Sequence, residues 1–276
     1  MDVPPGVGHA VPMFNGKHVI ITGGSSGIGL ETARLLAARG ARLSLLARGK
    51  YRLETAAEEL RATGAQVDFR AVDVADVAGV TKVLAELGPC DVLISCAGLA
   101  RPGRFLELPD DAFRQMIEVD YFGTLNVMRA VVPGMVERKQ GSVVAVSSAT
   151  ALLGIYGYSA YGPAKFAVRG LMESLRAELR PHGVHVGVVF PPDVDTPQLA
   201  EENRFKPAET FAISGTVKPL PASVVARAIV TGIEKRRFLI CPDLSMKVLA
   251  RFGSLLAPVL NRYFDGKIAR TRSAAA

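Results

Sequence analysis

The run HVIITGGSSGIGLETARLLAARG, residues 18–40, decides the fold. It opens on the strand-forming stretch His18–Thr22, turns through a glycine-rich loop, and continues as a helical pattern that ends at Gly40. Gly23, Gly27 and Gly29 permit a tight turn and let backbone N–H groups approach a pyrophosphate. The helix that follows turns its positive end to the same point. Ser25, Ser26 and Ile28 complete the loop. A glycine turn between a first strand and a first helix points to a dinucleotide site.

Outward from this run, apolar strand-like segments alternate with helical ones. Strands are expected at 41–47, 67–73, 91–97, 141–147 and 185–190, with a seventh at 236–242. Helical patterns fill 51–63, 77–87, 110–138 and 161–180. The strands are rich in Val, Ile and Leu with little alternation, as in strands buried on both faces of a parallel sheet. The fold class expected is α/β: a Rossmann-like, doubly wound parallel sheet of about seven strands with helices on both faces, in a single domain over 14–243. Residues 1–13, with paired prolines, read as a flexible lead-in rather than a signal peptide.

The end of the second strand reports on the cofactor. A carboxylate there would bind the ribose 2′-OH of NAD. The chain instead has Ala47, Arg48, Gly49, Lys50 and Arg52. A cation suits a 2′-phosphate, so NADP(H) is expected, with Arg48 as its first partner and a solvated basic turn as the alternative. Asp73, followed by Val74, could accept from the adenine amine or could cap a turn. Cys96, Ala97 and Gly98 end the fourth strand, where backbone must pass close to the cofactor.

Of the 276 residues, 49% are hydrophobic, enough for a large buried core, and the net charge is +7. That charge admits an anionic cofactor, anionic lipid or nucleic acid without choosing among them. The basic run at 234–238 reads as a solvated helix end, so nucleic acid is not expected. Cys90, Cys96 and Cys241 are widely spaced and read as reduced thiols, and the four histidines form no close ligand pair, so no metal is expected. No run of about twenty uncharged apolar residues could cross a bilayer.

The stretch YGPAK puts Tyr161 and Lys165 four residues apart, on one face of a helix. A fixed cation strengthens a phenol as an acid, and such a phenol can hand a proton to a developing alkoxide. Tyr156 and Tyr158 have Ala160 and Gly162 at the same spacing, so the pairing belongs to Tyr161.

The glycine loop, CAG, a serine pair ending a strand, and YGPAK occur in this order, and the chain resembles the short-chain dehydrogenase/reductase family over about residues 14–243. The resemblance implies that Ser148, thirteen positions before Tyr161, bonds the substrate carbonyl, with Ser147 as the rival serine. It implies that Tyr161 is the general acid. Lys165 would lower the Tyr161 pKa and hold the nicotinamide ribose, so both also count as cofactor-binding. Pro191, Val194 and Thr196 would lie against the nicotinamide. Where the family has asparagine, this chain has Asp120 in VDYFGT, so the implied proton relay is altered, or Asp120 only bonds helix backbone. The family also implies a homodimer or homotetramer formed through 112–138 and 161–180.

A narrower resemblance, in FPPDVDTPQLAEENRFKPAET and VRGLMESLRAELRP, is to the 3-ketodihydrosphingosine reductases of that family. It implies an NADPH-dependent reductase of a long-chain 3-keto substrate. The alternatives are a 3-oxoacyl, steroid or secondary-alcohol oxidoreductase, and a non-catalytic NADP-binding protein. The loop over 197–220 would form the substrate lid, with Phe205, Phe211 and Ile213 lining an acyl groove. Glu201, Glu202 or Glu209 could meet a substrate ammonium or be solvated loop charges. Residues 244–276 read as an amphipathic basic helix and tail. Leu244, Val248, Phe252, Leu256, Val259 and Tyr263 share its apolar face, and Pro258 is a kink point. That helix suits either peripheral membrane contact through 244–272 or packing on protein. The expected location is cytoplasmic, with that contact as the open question.

Overall fold

The computed structural model of the protein describes residues 13–215 and 218–275, so all of the expected lead-in except Met13 lies outside the described residues. Strand β1 (His18–Thr22) is buried along its whole length. Val19 and Ile21 enter the core layer on one face of the sheet and Ile20 the layer on the other, the two-residue period of a strand. Helix α1 (Gly27–Ala37), strand β2 (Arg42–Ala47), helix α2 (Lys50–Ala62) and strand β3 (Val67–Ala71) follow. Helix α3 (Val77–Leu87) then leads to strand β4 (Val92–Ser95). The second half adds strand β5 (Gly141–Val146), helix α6 (Tyr161–Leu179) and strand β6 (Val184–Val189).

These strands and β9 (Leu239–Ile240) form a seven-stranded sheet in the order β3-β2-β1-β4-β5-β6-β9, all parallel. From β1 the chain winds outward through β2 and β3, then crosses to β4 and winds the other way. That reversal leaves a crevice beyond the carboxyl ends of β1 and β4. The expected doubly wound sheet is therefore what the chain forms.

Several boundaries differ from the sequence reading, each for a local reason. Strand β3 stops at Ala71 rather than reaching Asp73, whose Oδ1 accepts from the Ala75 N–H at 3.0 Å and turns the chain. The seventh strand is two residues long rather than spanning 236–242. Arg236 has a left-handed φ of 46°, and the Arg237 N–H bonds the Gly232 carbonyl at 2.8 Å, so 236–237 finish helix α9 (Ala222–Glu234) instead. The long helix over 110–138 has three parts: α4 (Asp110–Met116), a π-helical turn (Ile117–Phe122) and α5 (Gly123–Glu137). The wide turn carries Asp120, and such turns gather at functional sites.

The segment after β6 is not an open loop. Strand β7 (Val194–Asp195) pairs in parallel with β8 (Leu220–Pro221), bracketing two short helices, α7 (Pro197–Glu202) and α8 (Ala208–Ser214). Thr196 caps α7, its Oγ1 accepting from the Leu199 N–H at 3.3 Å, and Pro197 takes the first helical position, where a missing N–H costs nothing. The buried Glu209 carboxylate ties α8 to the rest of the molecule: Arg104 donates to it at 3.1 Å and the Tyr156 hydroxyl at 3.2 Å. The expected helix and tail at the C-terminus form one helix, α10 (Leu244–Ala275), with Pro258 inside it. Among the described residues, no helix is long and apolar enough to cross a membrane.

Candidate active site

A cavity of about 1400 Å³ occupies the crevice beyond β1 and β4. At one end it is walled by the turn after β1, through Gly23, Ser25, Ser26, Gly27 and Ile28. Gly23 has φ 68°, and a Cβ on it would lie 2.8 Å from the Cys96 carbonyl. A side chain there would therefore break the close approach of the two strand ends. Gly29 lies beneath this wall: a Cβ on it would collide with the Gly23 carbonyl, so it serves helix-to-turn packing. Ser26 starts α1 without a side-chain cap bond, leaving the helix's first N–H groups to the cavity.

Arg48, Arg52, Asp73 and Val74 line the same end. Arg48 is 62% exposed and 3.9 Å from Asp73, a loose surface pair that leaves its guanidinium available to an anion. Asp73 holds its own turn through Ala75, and its second oxygen faces Arg48, so the turn role is present. Cys96, Ala97 and Gly98 form the floor, and Pro191, Val194 and Thr196 the opposite wall. The Thr196 hydroxyl also donates to the Val194 carbonyl at 3.1 Å. A bare glycine cradle, free helix N–H groups and a nearby cation form a donor set that fits a dinucleotide with a 2′-phosphate.

Further along the cavity stand Ser148, Tyr161 and Lys165. Ser148 follows β5 and starts a short 3₁₀ turn, its Oγ accepting from the Thr150 N–H at 3.2 Å. It also lies near enough to the Tyr161 phenol to pull its pKa down. Ser147 points elsewhere, donating to the Lys165 carbonyl at 2.9 Å. Ser148, the serine implied by the family resemblance, lines the cavity with Tyr161 and Lys165. Lys165 is buried, its Nζ 3.2 Å from the Val146 carbonyl, 3.5 Å from Asp120 Oδ1 and 5.5 Å from the centre of the Tyr161 ring.

Burial pushes the Tyr161 phenol well above its ordinary pKa, and the Asp120 and Glu202 charges push it the same way, while the Ser148 hydroxyl pulls it down. The expected lowering by Lys165 is not what governs it here, because that ammonium faces Asp120. Asp120 sits behind the cavity wall rather than on it. Its Oδ1 accepts from the Leu99 N–H at 3.0 Å, and Oδ2 is buried without a partner. Burial raises its carboxyl to about 6, against the pull of Lys165. The carboxylate thus bonds across to the end of β4, not to its own helix. A Cβ on Gly98 would lie 2.6 Å from Asp120 Oδ1 and 3.1 Å from Lys165 Nζ, so the CAG glycine makes room for this pair.

The far end of the cavity holds residues that sequence reasoning reached only in part. Ile213 lines it, but Phe205 and Phe211 do not: they are 45% and 41% exposed on the outer side of the α7–α8 segment. More of the apolar wall comes from Leu153, Ile155 and Leu199, and from α10 through residues that include Leu249, Leu256, Leu260 and Phe264. The face predicted for α10 is thus split: Leu244, Val248 and Leu256 line the cavity, and Phe252, Val259 and Tyr263 do not. Phe252, Leu255, Val259 and Tyr263 form a second, exposed stripe. The apolar spacing of α10 was legible, but a helix with two apolar faces gives no signal of which one meets the cavity. Beside Tyr161, the Tyr158 ring lies 5.6 Å away, centre to centre, and its hydroxyl donates to Glu202 at 3.0 Å.

The family model for short chain dehydrogenase matches residues 17–207. A 3-ketodihydrosphingosine reductase of Dictyostelium discoideum is 37% identical over 274 residues, covering 91% of this chain and 82% of the relative. A 3-dehydrosphinganine reductase of Danio rerio is 42% identical over 226 residues, covering 79% of this chain and 68% of the relative. Among solved structures, a short-chain dehydrogenase from Sphingobium yanoikuyae in complex with NADPH has a TM-score of 0.77 and 30% identity, covering 87% of this chain and 91% of that one. A bulky-bulky ketone specific alcohol dehydrogenase from Comamonas testosteroni has a TM-score of 0.74 and 25% identity, covering 92% of this chain and 94% of that one.

Proposed function

This chain belongs to the short-chain dehydrogenase/reductase family of oxidoreductases acting on C=O and CH–OH groups, and we propose that it reduces a long-chain 3-keto amino alcohol of the 3-ketodihydrosphingosine type with NADPH. One observation carries this reading: Ser148, Tyr161 and Lys165 meet on the wall of a cavity whose far end is apolar. The names of its relatives, 3-ketodihydrosphingosine and 3-dehydrosphinganine reductases, support the substrate class. An NADPH-bound structural neighbour supports the cofactor.

The glycine turn and the start of α1 would hold the pyrophosphate, Arg48 the 2′-phosphate, and Lys165 the nicotinamide ribose. Bound NADPH supplies the hydride. The Ser148 hydroxyl holds the carbonyl oxygen, and Tyr161 gives its phenolic proton to that oxygen as it becomes an alkoxide. A phenol kept protonated by burial retains that proton through neutral pH. Lys165 returns a proton to the phenolate, and Asp120 holds the ammonium ready for that step. The acyl chain runs past Ile213 to Leu256 and Leu260 of α10.

Outside the cavity, the exposed stripe of α10 is flanked by the exposed Arg251 and Arg262. Apolar residues beside cations suit the surface of an anionic bilayer, where a long-chain substrate would reside. We extend the proposal to peripheral membrane contact through this face.

Four outcomes follow. In a panel of 3-ketosphinganine, 3-oxoacyl thioesters and steroids, NADPH oxidation should be fastest with 3-ketosphinganine, and Arg48→Ala should weaken NADPH roughly tenfold or more with little effect on NADH. Preference for a thioester or steroid would move the substrate assignment, and equal loss of both cofactors would remove Arg48 from the 2′-phosphate. In vesicle sedimentation, the full chain should bind phosphatidylserine-containing vesicles, and the double variant Phe252→Glu, Val259→Glu should not; undiminished binding by the variant sinks the membrane contact. The fourth concerns pH. The Asp120 anion holds the phenol high, so Asp120→Asn should bring the Tyr161 pKa down and move the alkaline limb of kcat/KM for reduction to lower pH. An unmoved limb would disconnect Asp120 from the acid.

A further inference from the structure

The substrate end of the cavity contains one charge that the reduction does not use. The carboxylates that line the whole cavity, among the described residues, are Asp73, Asp193, Glu201, Glu202 and Asp243. Asp73 faces Arg48, Asp193 is bonded by Lys206 at 2.9 Å, and the exposed Glu201 pairs with Arg204 at 2.9 Å. Asp243 is spent on the start of α10, where it accepts from the Met246 N–H at 2.8 Å. Glu202 differs from all four. It is 8% exposed and, among the described residues, has no cation within 4.0 Å. Its bonds come from two neutral donors, the Gln198 amide at 3.0 Å and the Tyr158 hydroxyl at 3.0 Å.

These donors fix where the carboxylate sits without neutralising it. Lys206, the cation whose charge reaches Glu202, is committed to Asp193 with its own side chain 1% exposed. Tyr158 packs directly on Tyr161, so the oriented carboxylate lies one aromatic ring away from the proton donor. Burial pushes the Glu202 carboxyl above its ordinary pKa. A buried carboxylate without a counter-ion is unfavourable, and a ligand cation is what would relieve it.

We propose that Glu202 is the receptor for a substrate ammonium on the carbon adjacent to the carbonyl, with Tyr158 and Gln198 as its positioning residues. The inference rests on the amino-ketone reading above and deepens it by assigning the amine its partner. A ketone bound with its oxygen at Ser148 and Tyr161 carries its ammonium on the next carbon, and Glu202 is the buried carboxylate held by the ring that packs on Tyr161. A 3-oxoacyl thioester or a steroid brings no cation to this carboxylate and would leave it buried and unpaired. Specificity would then come from rejection as well as attraction.

The test compares 3-ketosphinganine with the same ketone lacking the amino group, using NADPH and the full chain. Wild type should favour the amino ketone in kcat/KM. Glu202→Gln, which keeps the shape and one carbonyl acceptor, should reduce that preference roughly tenfold to a hundredfold, mainly through KM, as expected for loss of a charged hydrogen bond. Glu202→Asp should recover part of it. Equal loss for both ketones in Glu202→Gln, or no wild-type preference, overturns the assignment. A binding arm separates this inference from the function it rests on. With NADPH-loaded protein, octadecylamine should bind more tightly than octadecanol in wild type but not in Glu202→Gln. If neither ketone is reduced yet this difference holds, the ammonium site stands and the reductase reading falls. If the two ligands bind alike in wild type, the ammonium site falls.

Discussion

The Lys165 ammonium is buried between the Asp120 carboxylate at 3.5 Å and the Val146 carbonyl at 3.2 Å, and the rest of the site is arranged around it. An ammonium out of water is tolerated only when paired and hydrogen-bonded. Meeting that need draws four parts of the chain together: the π-helical turn that carries Asp120, the end of β5, the start of α6, and the segment after β4, which contributes Gly98 and Leu99. Removing one partner of such a pair typically costs about 3–5 kcal/mol. The same contacts that fix the lysine hold Tyr161, one turn earlier on α6, in the cavity wall.

Much of this was legible from residue types and spacing. The glycine turn, the basic end of β2, the CAG floor and the Tyr161–Lys165 pairing each rest on local chemistry, and local chemistry is what a sequence displays; Ser148 came only from the family resemblance. The electrostatic balance was not legible, because it depends on burial. Four residues of spacing put a cation near Tyr161, but the fold turns that cation to Asp120 and leaves the phenol governed by desolvation. Asp120 itself read as a departure from a family pattern. Its bond to the Leu99 N–H, across the crevice, depends on the widened turn at 117–122, which helical periodicity does not report.

The substrate end was harder to read for a different reason. Its walls come from segments far apart in the chain, α7–α8 after β6 and α10 after β9. Three glutamates in the α7–α8 segment looked alike in sequence. The fold separates them into an exposed surface partner of Arg204, a clasp for Arg104 and Tyr156, and the buried Glu202. Likewise, α10 is amphipathic in two directions, so Leu256 lines the cavity while Phe252 and Val259 face outward. A substrate that is apolar along most of its length and cationic near its carbonyl matches that division.

The central claim is that the Tyr161 phenol delivers the proton, and replacing it by Phe tests this most directly. The substitution removes one oxygen and keeps the ring that packs against Tyr158. The account predicts that Tyr161→Phe binds NADPH nearly as tightly as wild type while kcat for 3-ketosphinganine falls roughly 10²- to 10⁴-fold, the range of a lost general acid. Turnover within a fewfold of wild type, with NADPH still bound, would contradict it.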